Sequence, residues 1–200
     1  MGPTRTAAVI LCLAVLTACG TAGRDGTTAA VTPATNATGE TGAGTPPTGE
    51  PAPTALPAPT GTAEVEAAHE GGDPALVTGV RFAAHGSYDR VVIDLKGEMP
   101  GYTVVWADEL VEDGSGNTID APGGAYLQVT LNPANAHTDK GEPTWAGGPV
   151  FQAGLGNVTS VVRTGDFEGR VGVGIVLDHR AGFRVIQQSA PNRLVIDVAD

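Results

Sequence analysis

Thiols, aromatic rings and positive charge are all scarce in this chain. There are two cysteines, and the aromatics amount to two Trp, three Tyr and four Phe. Cys12 lies in an apolar run near the start and Cys19 directly after it. Beyond Cys19 no thiol remains for a disulfide, a cysteine metal site or a thiol nucleophile. Eleven Lys and Arg stand against 22 Asp and Glu, a net charge of −11. That balance argues against nucleic-acid backbones and anionic lipid surfaces as main partners. A neutral glycan, a basic group or a protein stays open.

Signs of chemistry are equally sparse. No Gly-x-Ser-x-Gly elbow and no His-Glu-x-x-His occurs. His85, His137 and His179 each stand alone beside turn residues. Ser87 lies near His85 and Asp89, but "HGSYD" reads as a turn between strands. His137, Asp139 and Glu142, and again Asp113, Asn117 and Asp120, are clusters of oxygen and nitrogen donors without EF-hand spacing. "RVGVGIV" at 170–176 has Gly-x-Gly but no helix to follow, so it reads as a strand with close neighbours and not as a phosphate loop. No enzyme activity, metal or cofactor is expected.

What is present falls into three parts. Residues 1–18 carry Arg5 and an apolar stretch, Ala7 to Leu16, too short to span a bilayer. They read as an export signal. Leu16-Thr17-Ala18-Cys19 resembles the lipobox of bacterial lipoproteins, in which the cysteine becomes the lipid-bearing N-terminus; an ordinary cleaved signal is the alternative. Residues 19–74 are rich in Thr, Ala, Pro and Gly and have no aromatic residue. Such a segment buries too little apolar surface to offset its ordering entropy and reads as a flexible tether. Residues 75–200 are one domain's worth of chain.

That domain alternates apolar and polar residues with period two and has almost no helical period. Strands are expected at Leu76–Ala83, Arg90–Leu95, Tyr102–Trp106, Ala125–Leu131, Val158–Arg163, Val171–Leu177, Phe183–Gln187 and Arg193–Val198. An internal repeat orders them: "VTGVRFAAHGSYDRVVIDL" then "GYTVVWA" matches "VTSVVRTGDFEGRVGVGIVL" then "GFRVIQQ". The domain therefore reads as all-β, two related, roughly four-stranded units at 76–132 and 157–200. Neither buries its own apolar face, so the two are expected to pack face to face as a β-sandwich.

"DRVVIDLKG" at 89–97 and "NRLVIDVAD" at 192–200 are near-copies outside that repeat. If they pair antiparallel with Val92 opposite Val195, Arg90 meets Asp197 and Asp94 meets Arg193. The alternative is a solvated outer face for all four charges. "VTGVRF…YDRVVIDLKG" with the closing "RLVIDV" resembles the AMIN domain, and more closely the AMIN-like variant found in lipoproteins of high-GC Gram-positive (actinobacterial) type. The resemblance implies two related sheets and a non-catalytic role in binding cell wall. No amidase or secretin domain follows in this sequence, so binding something in the envelope is the expectation, and not the targeting of an enzyme in the same chain.

Two aromatic groups are candidate ligand contacts. Trp145 and Phe151 lie in the long connection 132–156, which reads as structureless; they offer either a platform for a sugar ring or a plug for the core. Tyr102 and Trp106 share one strand face, outward as a stripe or inward as core. The expected protein is a lipoprotein held at Cys19 on the extracytoplasmic face of the cell membrane, binding wall glycan or an envelope protein. An adaptor or assembly factor without glycan contact is the alternative.

Overall fold

The structure, a computed structural model, describes residues 56–69 and 71–200. The export signal, Cys19 and most of the tether lie outside the described residues.

The described residues hold no helix, so no helix among them is long and apolar enough to cross a membrane. Among the described residues, eleven strands form two sheets: β1 (Val65–Ala67), β2 (Ala75–Ala84), β3 (Tyr88–Lys96), β4 (Gly101–Ala107), β5 (Ala125–Asn132), β6 (Ala134–Asn135), β7 (Val150–Gln152), β8 (Val158–Phe167), β9 (Arg170–Leu177), β10 (Phe183–Gln188) and β11 (Arg193–Ala199). One sheet runs β1-β4-β5-β9-β8-β7 and the other β10-β11-β3-β2-β6. All eight expected strands are there, because branched residues in strict alternation suit a pleated, one-side-buried surface. The hairpin β8–β9 turns at Glu168-Gly169, both left-handed (φ 49° and 72°), as a two-residue turn between twisted strands requires.

The two halves interlock, and do not each form a sheet. β2 and β3 lie beside β10 and β11, while β4 and β5 lie beside β8 and β9. Under the internal repeat, the order β10-β11-β3-β2 becomes β4-β5-β9-β8, so the sheets themselves are the related objects. The reason is burial. A four-stranded half alone would be two small hairpins facing each other; exchanging central partners seats every hairpin beside one from the other half.

The core lies between the sheets. Val91, Ile93 and Leu95 of β3 meet Leu194, Ile196 and Val198 of β11 on one side, with Leu127, Val129, Leu131, Val173 and Ile175 opposite. A second, smaller cluster covers the outer face of the six-stranded sheet. There Leu110 and Ala121, from the connection 108–124, pack on Val162 and Val176. This explains the glycines of β9. A Cβ on Gly174 would overlap the Leu110 side chain, and one on Gly172 would overlap Thr164 Oγ1.

Two further expectations change. Residues 56–69 pack with the domain, although the sequence assigns them to the tether: β1 pairs with β4, Val65 opposite Val104. The connection 132–156 is not structureless. β6 pairs parallel with β2, β7 pairs with β8, and Thr144 Oγ1 donates to the Val77 carbonyl at 2.6 Å. Short backbone pairing of this kind leaves no period in the sequence.

Gly174→Ala is expected to destabilise the domain by about 1–3 kcal/mol through overpacking. In a Leu110→Ala background the same change is expected to cost nothing further, because its clash partner is gone. Denaturant unfolding of the two single variants and the double variant measures that coupling.

Candidate functional site

The candidate site is the outer face of the five-stranded sheet. Its registers align residues in cross-strand rows. Arg184, Asp197, Arg90 and Ala83 form one row; Ile186, Val195, Val92 and Arg81 the next; Gln188, Arg193, Asp94 and Gly79 the third. Val92 does stand opposite Val195, Arg90 opposite Asp197 and Asp94 opposite Arg193.

Each aspartate is shared by two arginines. Arg90 donates to Asp197 through Nε (2.6 Å) and NH2 (2.9 Å), and Arg184 Nε donates to the same carboxylate at 2.8 Å. Arg81 grips Asp94 through Nε (2.6 Å) and NH2 (2.8 Å), with Arg193 Nε at 3.3 Å. Paired N–H donors on a carboxylate are among the strong hydrogen bonds of proteins. The Asp197 side chain is 0 % exposed, while Arg90 and Arg184 keep 20 % and 24 %. The charges are therefore not a fully solvated face: Asp197 is an enclosed anion held from both sides.

Above the first row the buried Tyr88 ring lies beneath Arg184 and Arg90, whose guanidinium carbons stand 4.8 and 5.5 Å from its centroid. His85 stacks on the same ring at 5.4 Å. Four of the chain's eleven basic residues thus gather on one face with two aspartates. The face is locally cationic on an acidic protein. Its middle row is apolar from Ile186 to Val92, with Val195 buried and Ile186 and Val92 half-buried. Arg81, His85, Arg90, Val92, Gln188 and Arg193 border a depression of about 410 Å³ there.

The pairing shows in the proton affinities. Hydrogen bonding by Arg81 holds the Asp94 carboxyl below its ordinary value, against an opposing desolvation, with the nearby Arg193 charge assisting. Hydrogen bonds to Asp94 and Asp197 raise Arg81 and Arg90 respectively.

The aromatic candidates are placed elsewhere. Trp145 is 3 % exposed and stacks on Phe151 at 5.1 Å, with Arg163 across its face at 5.7 Å. It plugs the core and offers no surface platform. The Gly147 backbone passes so close to the Phe151 ring that a Cβ there would overlap it. Tyr102 is buried and its hydroxyl accepts from Gln187 Nε2 at 3.0 Å. Trp106 packs edge-on to Phe183 at 5.6 Å, and its indole N–H donates to the Thr62 carbonyl at 3.0 Å. Both belong to the inward face. Asp89 is buried and accepts the backbone N–H groups of Asn157 and Val158 at 2.7 and 2.8 Å, a structural duty distinct from His85 and Ser87. Asp113 sits over Gly165, and among the described residues no three His, Cys, Asp or Glu side chains gather to hold a metal.

Arg81, Arg184 and Tyr88 carry no signal of their own in the sequence, and His85 reads there only as a turn residue. Extending the Val92–Val195 register by one strand on either side would have put both arginines on the face.

A family model described as the AMIN-like domain matches residues 75–200. The chain belongs to that family. No curated protein and no solved structure matches it. AMIN-like domains are in general non-catalytic binding modules of the cell envelope, and the AMIN-like domain here is consistent with that role.

Asp197→Asn is expected to cost about 3 kcal/mol, because it leaves two arginines against a neutral group in a largely enclosed site. Asp94 gives a pH signature. Its folded-state value is depressed, so its contribution is present above the unfolded carboxylate pKa of about 3.9 and is lost as pH falls through the folded value. Acid unfolding of Asp94→Asn is expected to show a flatter dependence below that point than the parent chain.

Proposed function

We propose that this is a membrane-anchored envelope lipoprotein whose AMIN-like domain binds peptidoglycan without catalysis, through the outer face of the five-stranded sheet. The observation that carries the reading is the pairing of two Arg–Asp–Arg clusters around the apolar row Ile186–Val195–Val92. Wall peptides present carboxylates and wall sugars present apolar ring faces. Guanidinium forks match the former, and the half-buried Ile186 and Val92 on either side of buried Val195 offer apolar surface to the latter. Arg193 touches Asp94 through Nε alone, and among the described residues its terminal nitrogens have no protein acceptor, which leaves a fork for a ligand carboxylate.

The anchor rests on the sequence, with Leu16-Thr17-Ala18-Cys19 directly after the apolar run and Cys19 as the lipidated residue. The Thr/Pro-rich stretch that follows would hold the domain above the extracytoplasmic membrane surface.

Residues 56–200, incubated with purified protein-free sacculi, are expected to co-sediment, and added salt is expected to weaken the binding. Arg81→Ala/Arg193→Ala is expected to lower affinity about tenfold, near 1.4 kcal/mol, with the circular dichroism spectrum retained. Equal binding by the variant would move the site off this face. No binding by the parent would leave a protein partner as the reading.

A further inference from the structure

Residues 56–62 precede the family match, yet they make specific contacts with the domain. Pro59 is buried. The Pro57 carbonyl accepts from Arg184 NH1 at 2.6 Å, the Gly61 carbonyl accepts the Phe183 N–H at 2.7 Å, and the Thr62 carbonyl accepts the Trp106 indole N–H at 3.0 Å. Gly182 makes room: a Cβ there would overlap the Pro59 carbonyl and Thr60 Cα. Trp106 and Phe183 meet edge to face beside the segment, and Arg180 lies 4.2 Å over the Trp106 ring. The open side of the sandwich, where β4 and β10 approach, is thus an aromatic-flanked groove with donors aimed at the carbonyls of a proline-containing segment. Grooves that read proline-rich chains use the same features, since the bound backbone is already extended and loses little entropy.

The seated tetrapeptide is Pro57-Ala58-Pro59-Thr60. An identical one, Pro51-Ala52-Pro53-Thr54, stands six residues earlier. Threaded into the groove, Pro53 would take the buried place of Pro59, and Glu50 the exposed place of Leu56. Ala55 would fall where Gly61 is. Gly61 is not left-handed and a Cβ there would lie 3.7 Å from the Phe183 carbonyl oxygen, an ordinary contact. The three accepting carbonyls are backbone groups and survive the exchange. The losses lie downstream. Pro59, Thr60 and Gly61 would stand where Val65, Glu66 and Ala67 pair with β4, and Ala58 would replace Glu64, whose carboxylate accepts the Trp106 backbone N–H at 3.3 Å. The observed register is therefore the lower in energy of the two.

We propose that this groove recognises the Pro-Ala-Pro-Thr tetrapeptide and that residues 51–54 are its second occupant. The segment then docks in two registers, and the change of register shortens the chain N-terminal to the groove by six residues, about 20 Å when extended.

The test uses the full-length chain labelled with 5-fluorotryptophan. Its two tryptophans divide the work: Trp106 reports the groove, and the buried Trp145 reports the fold. Pro53→Asp is expected to leave both fluorine resonances in place. Pro59→Asp forbids the observed register, because a carboxylate would be buried without a partner. It is expected to keep the Trp106 resonance and indole protection near the docked state, with residues 51–54 seated instead. Pro53→Asp/Pro59→Asp is expected to move Trp106 toward its exposed position and speed its indole exchange about tenfold or more, with Trp145 unchanged. If Pro59→Asp alone behaves like the double variant, the second occupant is ruled out. If the double variant stays docked, the tetrapeptide is not what the groove reads.

Discussion

Strand β3 pairs antiparallel with β11 across more than ninety residues of sequence, and most of the domain is organised around that pairing. It joins the first half of the chain to the last strand and sets two faces at once. Inward, Val91, Ile93 and Leu95 interleave with Leu194, Ile196 and Val198. Outward, Arg90 meets Asp197 and Asp94 meets Arg193. A slip of one residue by either strand would turn that strand's apolar row to the solvent side and its charges to the core. The apolar rows and the ion pairs therefore specify the same register from opposite faces.

From this pairing follows the interlocked architecture. With β3 held by β11, β2 and β10 take the flanks, and the equivalent strands of the repeat build the other sheet as β4-β5-β9-β8. The same pairing concentrates cation. Asp197 and Asp94 sit in the central strands, and the arginines that hold them come from both sides, Arg184 from β10 and Arg81 from β2. A protein with twice as many acidic as basic residues thereby presents one face rich in guanidinium. Net charge describes its long-range field; the sheet register decides which charges share a face.

The loops serve this frame. The 108–124 connection lays Leu110 into the space left by the β9 glycines, and the 132–156 connection drives Trp145 into the core. Arg163 ties that second connection down, donating through NH1 to the Trp145 carbonyl at 2.9 Å. The segment ahead of the family match closes the remaining open side. The aromatics most suited by composition to a sugar platform are thus largely spent on stability, and the outer face of the five-stranded sheet is made of arginine and branched aliphatics.

Alternation in the sequence determined the eight main strands and which of their residues share a face, because period is a property of short stretches; charge complementarity offered the β3–β11 register as one of two readings, and the structure chose it. Alternation also determined the all-β class. Only the tertiary structure decided which strands share a sheet, since both the face-to-face and the interlocked arrangements satisfy the same alternation. It alone brought Arg81 and Arg184 to the two aspartates, buried Trp145 and drew residues 56–69 into the fold. Those outcomes depend on which surfaces compete for one another across the molecule, and the carbonyls and glycines that mediate them carry no periodic signature along the chain.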